Sequence, residues 1–216
     1  MRRVSAILLA AGESRRMGDV NKLTLPVGGV PLLRHMVSRL LDSELHEIVV
    51  VTGHEQETAR TLLQGLPVTL VNNARYREAQ MTSVYRGMEA LSEPCDGVMV
   101  ALSDQPLLEV ADLNRLLHAF LEQCPTTVLV PVYQGRRGNP IVLAYQHRDA
   151  ILGGERNLGC RRLIEKNPEL VTTLEMDNDH VVFDLDTPSD YRRLMRRLEP
   201  DKVAATETRT ATLPFP

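Results

Sequence analysis

What this sequence does without removes several classes of protein. Its three cysteines, Cys95, Cys124 and Cys160, are odd in number and far apart, with no C-x-x-C pair and no histidine at zinc-finger spacing. Neither a disulfide framework nor a structural zinc site is expected. No stretch approaches the roughly 18 consecutive apolar residues that a membrane span needs. The opening MRRVSAILLAAG has two arginines before an apolar stretch, but that stretch is short and a polar loop follows it at once, which argues against a signal peptide. A cytoplasmic protein without membrane association is expected. Charges of both signs are interspersed around a net charge of -3, so no basic face invites nucleic acid. There is no internal repeat, and no linker divides the body.

What is present suits one domain. The chain has 216 residues, of which 43% are hydrophobic, enough to bury a sizeable core. Residues 4–10 form a continuous apolar run ending at a glycine turn, as expected of a strand buried on both faces of a parallel sheet. Residues 31–41 place six apolar side chains at helical spacing, with Pro31 suited to the first turn. Strands at 46–52, 68–71, 97–102 and 127–133 then alternate with helices at 55–63, 81–91 and 111–121. That alternation implies parallel strands joined by crossovers. Beyond Gly135 it loosens, with strands expected at 140–144, 171–174 and 181–183 and helices at 160–165 and 188–198. The last residues, rich in small polar side chains and proline, cannot bury enough surface to offset their ordering. The expected organisation is therefore a three-layer α/β domain over 1–199 with a mainly parallel sheet, followed by a disordered tail over 200–216. Ligands of such a sheet sit beyond the carboxyl ends of the strands.

The stretch that directs the functional reading is LLAAGESRRMGDVNK, residues 8–22. Ala10, Ala11 and Gly12 are small enough for close backbone approach, and Gly12 can take dihedrals closed to other residues. Free amides there, with Leu9 and Ser14 in the same turn, suit anionic oxygens. Arg15, Arg16 and Lys22 add three cations, and a guanidinium fork matches phosphate oxygens. The P-loop pattern fails, because Met17, Gly18 and Asp19 stand where it requires Gly-Lys-Ser/Thr. The dinucleotide fingerprint fails too, since no Gly-x-Gly-x-x-Gly occurs. The competing reading is an ordinary strand-to-helix turn with solvated arginines.

Asp104 ends the fourth strand at the sheet edge where this loop emerges. It would serve magnesium, which favours one or two carboxylates with phosphates and waters, or else cap a helix. Asp184 and Asp186 alternate on an extended segment, so their side chains are expected on opposite faces and only one would reach a metal. Thr187 or Ser189 would cap the last helix with Pro188 in its first turn, and Asp186 could itself be no more than a cap. Ser83 could bond a ligand or simply start a helix. Arg136 and Arg137, with Gly138, Asn139 and Pro140, form a cationic turn that is either an anion site or a solvated hairpin tip. The histidines share no motif, so His35, His54 and His118 are expected in structural or surface roles. Met17 is expected to pack. Nothing near Cys160 marks a reactive thiolate.

Four motifs in order, LLAAGESRRMGDVNKL, ALSDQP, RGNP and FDLDTPSDY, together resemble nucleotidyltransferases of the molybdenum cofactor type, the MobA-like NTP transferases. The double alanine before Gly12 is similar to the cytidylyl branch, whereas the guanylyl branch usually has glycine at the second position. The resemblance implies a Rossmann-like nucleotidyltransferase fold of the nucleotide-diphospho-sugar transferase type. It also implies Arg16, Lys22 and Asp104 as catalytic residues, and Leu9 to Gly12, Ser14, Arg15, Arg16, Lys22, Asn73 and Ser83 around the nucleotide. Asp104 and Asp186 would hold Mg2+, with Mn2+ as a substitute, and Arg137, Gly138, Asn139 and Pro140 would face the acceptor. Two segments depart from the family: Gln80-Met81 stands for the usual Gly-Met, and GGERNLGCRR from Gly153 lacks the usual aspartate after glycine.

The reaction so implied transfers CMP from CTP to the phosphate of a molybdopterin-type cofactor, releasing pyrophosphate, with a molybdenum hydroxylase as the eventual recipient. Two alternatives stand beside it: the same transfer with another nucleotide or phosphate acceptor, and a carrier that delivers the cofactor without transferring a nucleotide. Some similar sequences are labelled oxidoreductases, against which the missing dinucleotide fingerprint argues.

Overall fold

The computed structural model describes residues 3–92, 94–123, 127–153 and 167–198. The expected tail, the helix at 160–165, Cys124, Cys160 and most of the segment following Gly153 lie outside them.

The central strand is β1, Val4–Ala10, and all of its residues are buried. Its burial on both faces follows from alternation. Ala6 and Leu8 join one apolar cluster, while Ile7 and Leu9 join a second on the opposite face. Strand β1 lies between β4, Ile48–Thr52, and β6, Gly97–Leu102, parallel to both. Outside β4 lies β5, Thr69–Asn72, also parallel. Beyond β6 one strand reverses direction and the next restores it. Strand β9, Ile141–Ala144, runs antiparallel to β6 and to β7, Val128–Tyr133, while β10, Val171–Glu175, is parallel to β7. Among the described residues the sheet order is β10-β7-β9-β6-β1-β4-β5, and β8, Arg136–Arg137, folds back on β7. This is the expected mixed, mostly parallel α/β sheet.

Six helices cover it among the described residues. On one face, α1 (Leu32–Leu41), α2 (Gln56–Leu62), α4 (Val110–Gln123) and α6 (Pro188–Leu198) contribute Leu33, Ala59, Leu117 and Leu194 to the first cluster. On the other, α3 (Gln80–Ala90) and α5 (Arg148–Leu152) supply Val84, Met88 and Ile151 to the second. None is long and apolar enough to cross a membrane.

Three local features differ from the sequence expectation. Pro31 stands before α1 and pairs in a small hairpin, β2 (Pro26–Val27) with β3 (Val30–Pro31). Its turn needs positive φ at both centres, supplied by Gly28 at 58° and Gly29 at 86°. The strand expected at 181–183 is instead a 3-10 turn, His180–Val182. There the Asn178 Oδ1 accepts the His180 N–H, a local side-chain bond that competes with extended pairing. The helix α5, only 5 residues long, is too short to display a helical period.

The parallel register of β5, β4, β1 and β6 brings four strand ends to one edge: Asn72, Thr52, Ala10 and Leu102. The loops that follow them build the site.

Candidate active site

The loop leaving β1 is held at buried points and open between them. Ser14 takes a left-handed conformation, φ 53°, and starts a 3-10 turn, Arg15–Met17, in which the Met17 N–H donates to the Ser14 carbonyl at 2.8 Å. Met17 is buried in the core, the packing role expected of it. The Ser14 hydroxyl accepts the Lys22 N–H at 3.3 Å. Asn21 caps the next turn, Lys22–Thr24, by accepting from the Leu23 N–H at 2.9 Å, and Leu23 is buried. These anchors direct Arg16 and Lys22 toward the cleft. The left-handed backbone expected of Gly12 falls on Ser14 and on Gly18, φ 69°, because the chain turns there. What Gly12 contributes is space: no atom lies within 4 Å of where a Cβ would stand.

On the cleft floor Lys22 meets two carboxylates. Its Nζ donates to Asp104 Oδ2 at 2.6 Å, to Asp186 Oδ1 at 3.3 Å and to the Leu185 carbonyl at 3.2 Å. Arg16 reaches the other Asp186 oxygen at 2.9 Å. Asp186 points here because the helix cap is made by its neighbours. Asp190 accepts from the Thr187 N–H at 2.9 Å and the Asp186 N–H at 3.2 Å, and the Asp190 N–H donates to the Thr187 hydroxyl. This reciprocal pair is a capping box with Pro188 in the first turn, and it leaves the Asp186 carboxylate for the cleft.

Asp184, expected on the opposite face, lines the same cleft. The segment lacks the strand pairing that would enforce alternation. Gln105, fully buried, donates to the Val181 carbonyl at 3.0 Å and to Asp184 at 3.1 Å. Burial pushes the Asp184 carboxyl above its usual range, aided by the charge of Asp104.

The opposite wall comes from residues 73–83. Asn73 is buried and donates to the Thr82 hydroxyl at 2.7 Å and the Ser83 hydroxyl at 2.9 Å, so it braces this wall, while Ser83 faces the cleft. Tyr76 and Gln80 also line the cleft, and sequence reasoning did not single out Tyr76. The available signal was Gly53. A Cβ there would stand 2.7 Å from the Tyr76 Cβ and 2.9 Å from the Ala11 Cβ, so glycine lets three loops close together.

The resulting cleft holds about 510 Å3 and is lined by Leu9, Ala11, Gly12, Ser14, Arg15, Arg16, Lys22, Ser83, Asp104 and Asp186 among others. Ala10 pairs within the sheet behind it, opposite Thr52. Arg137, Gly138, Asn139 and Pro140 do not line it. Arg136 and Arg137 are exposed on β8, the Gly138 N–H donates to the Pro131 carbonyl at 2.8 Å and the Asn139 N–H to the Val181 carbonyl at 2.9 Å. That turn therefore backs the segment carrying Asp184 and Asp186. His35 bonds the Pro106 carbonyl at 3.0 Å and His118 pairs with Glu44 on the surface, as expected of non-catalytic histidines.

The carboxylates fit a hard divalent cation. Asp104 lines the cleft, and its Oδ1 is buried without a hydrogen-bond partner, an unsatisfied oxygen donor of the kind a cation would use. Among the described residues no group of three or more His, Cys, Asp or Glu side chains is spaced to hold a metal alone. Any such ion would complete its shell with water and ligand phosphate, as magnesium commonly does.

The chain resembles known proteins in sequence and in fold. The model of the MobA-like NTP transferase domain family matches residues 6–171. The purine catabolism protein PucB of Bacillus subtilis is 30% identical over 204 residues, covering 89% of this chain and 96% of its own. Nicotine blue oxidoreductase of Paenarthrobacter nicotinovorans is 28% identical over 200 residues, covering 89% and 96%. A probable molybdenum cofactor guanylyltransferase of Natronomonas pharaonis is 25% identical over 214 residues, covering 90% and 98%. Among solved structures, a nucleotidyl transferase of Methanothermobacter thermautotroptrophicus superposes with TM-score 0.79 at 24% identity, covering 93% of this chain and 99% of that one. Rv0371c of Mycobacterium tuberculosis in complex with manganese gives TM-score 0.72 at 21% identity, covering 90% and 98%.

Proposed function

Because this chain belongs to the MobA-like NTP transferase family and is a nucleotidyltransferase, we propose that it transfers CMP from CTP to the terminal phosphate of a molybdopterin-type cofactor, releasing pyrophosphate. The observation that carries this reading is the meeting of Lys22 and Arg16 with Asp104 and Asp186 on the floor of a cleft whose rim is the Gly12 loop. The cofactor assignment draws on the guanylyltransferase relative, and the choice of CTP on the Ala10-Ala11 pair.

An oxygen of the acceptor phosphate attacks the α-phosphorus, the bond from that phosphorus to the bridging oxygen breaks, and the β- and γ-phosphates leave as pyrophosphate. The attacking oxygen is already anionic, so no strong general base is required and the task is in-line alignment with charge neutralisation. Arg16 and Lys22 supply preorganised positive charge, and the open backbone beside Gly12 admits the phosphates. Asp104 and Asp186 would hold Mg2+, or the manganese found with one structural neighbour, and that ion would screen the phosphate charge. Ser83, with Tyr76 and Gln80, bounds the end of the cleft assigned to base and sugar. Arg137 and its turn lie outside this cleft, and their proposed place on the acceptor side draws on the RGNP resemblance alone. This reading carries with it a cytoplasmic reaction, where nucleoside triphosphates are abundant, and a molybdenum hydroxylase as the downstream recipient.

The test is pyrophosphate release from purified protein, magnesium and molybdopterin-type cofactor with CTP, GTP, ATP and UTP in turn. Release with CTP alone is expected. Release with GTP alone would move the assignment to guanylyl transfer, and silence with all four would leave a carrier or another acceptor. The name of the nicotine blue relative calls for one more arm, NAD(P)H oxidation by the same preparation. None is expected, since the chain has no Gly-x-Gly-x-x-Gly.

A further inference from the structure

An acidic residue stands at the mouth of a cleft read as binding a polyanion. Glu13 directly follows Gly12, and its side chain is only 16% exposed. The Arg15 Nε donates to one carboxylate oxygen at 2.5 Å and the Arg77 Nε to the other at 2.7 Å. The Arg77 bond first, then the Arg15 bond, holds the Glu13 carboxyl below its usual range. Arg77 follows Tyr76 in the opposite wall, between β5 and α3, so this ion pair joins the Gly12 loop to that wall beside the residues that line the cleft. Its guanidinium also lies over the Tyr76 ring, 5.5 Å from the centroid, and Tyr76 lines the cleft.

Stability does not explain the arrangement. Arg15 and Arg77 are 79% and 69% exposed, and ion pairs with such exposed partners contribute little to folding. A bare carboxylate in this place would repel a triphosphate, so its presence beside three loop cations needs an offsetting purpose. Two guanidiniums around one carboxylate leave the mouth net positive. The same contacts tie the wall that carries Tyr76 to the loop that carries Gly12.

We infer that Glu13 and Arg77 are a positioning pair, joining the base-side wall to the phosphate loop beside the cleft and thereby setting nucleotide affinity. Neither group touches the reacting atoms. The inference rests on the nucleotide reading above and deepens it, because this carboxylate, cation and aromatic form a built contact between the two halves of the binding cleft.

The experiment compares wild type, Arg77→Met, Arg77→Lys, Glu13→Gln and the Arg77→Met/Glu13→Gln double variant. It measures CTP dissociation constants by equilibrium dialysis, KM and kcat by pyrophosphate release, and melting temperatures. Loss of a charge-assisted contact should make Arg77→Met bind CTP about tenfold more weakly, with kcat within about twofold of wild type. Glu13→Gln should bind about threefold more weakly, because removing a repulsive charge offsets part of the lost anchor. The double variant should fall short of the product of the two effects, and Arg77→Lys should recover part of the loss. Melting temperatures should stay close to wild type. CTP binding by Arg77→Met equal to wild type, a fall in kcat at constant KM, or multiplicative effects in the double variant would overturn the inference alone. Wild-type protein that bound none of the four triphosphates would overturn the nucleotide reading beneath it.

Discussion

Replacing Lys22 with methionine keeps the apolar stem and removes one charge from the cleft floor. Its ammonium sits 2.6 Å from Asp104 and 3.3 Å from Asp186, with the side chain 13% exposed. At an effective dielectric of about 20 the two attractions are roughly 6 and 5 kcal/mol before desolvation is subtracted. Desolvation of the three groups cancels most of that sum. Removing one partner of a fully buried pair costs about 3–5 kcal/mol. Asp104 and Asp186 retain 20% and 24% exposure and can regain water. The expected loss in Lys22→Met is accordingly smaller, about 1–3 kcal/mol by urea denaturation. Catalysis should suffer more: loss of a preorganised cation facing developing phosphate charge is expected to lower turnover about 100- to 1,000-fold. Mn2+ binding to the free protein, followed by the electron paramagnetic resonance of the ion, should persist or tighten, because the ammonium no longer competes for the two carboxylates. Turnover of Lys22→Met within a few-fold of wild type would show that this ammonium has no part in the chemistry.

The remaining predictions address the elements around that floor. Burial holds the His35 imidazole below its usual value of 6.5, against the opposing pull of the Pro106 carbonyl. The unfolded histidine therefore takes up a proton near 6.5 while the folded one resists. This contribution to stability is complete above that pH and declines as pH falls toward the lower folded value. Urea midpoints measured from about pH 7.5 to 5 should show that decline, and His35→Gln should flatten it. Gly53→Ala drives a methyl to 2.7 Å from the Tyr76 Cβ. It should cost about 1–3 kcal/mol by thermal denaturation and weaken CTP binding in equilibrium dialysis. Thr187→Ala removes half of the capping box, lowering stability by about 1 kcal/mol. Its pyrophosphate release should fall as well, because the same box fixes the backbone of Asp186.

The central strands were legible because they are buried on both faces and written as continuous apolar runs, as in Val4–Ala10 and Gly97–Leu102. The helices α1 and α4 were legible from their single apolar faces. The loop of residues 8–22 could be identified from charge and small residues, but not its shape. Its left-handed turn falls on Ser14, a residue whose composition signals nothing of the kind, because anchoring by Met17 and Leu23 decides the path. The convergence of Asp184 with Asp104 was hidden by the assumption of strand alternation. A buried Gln105 and a capping box three residues on impose another geometry. Tyr76 was hidden because its one sequence signal, Gly53, lies in a different loop, and its bearing on Tyr76 shows only once the loops are packed together.

The central claim is that this cleft moves a nucleotidyl group rather than carrying a cofactor or oxidising a substrate. Its most direct test is to supply molybdopterin-type cofactor, magnesium and CTP labelled at the α-phosphate or, separately, at the γ-phosphate, and to follow the label. The α-label is expected in the cofactor and the γ-label in pyrophosphate, in equal amounts, with both abolished in Asp104→Ala. Cofactor that binds tightly but acquires no α-label while CTP remains intact would contradict that claim.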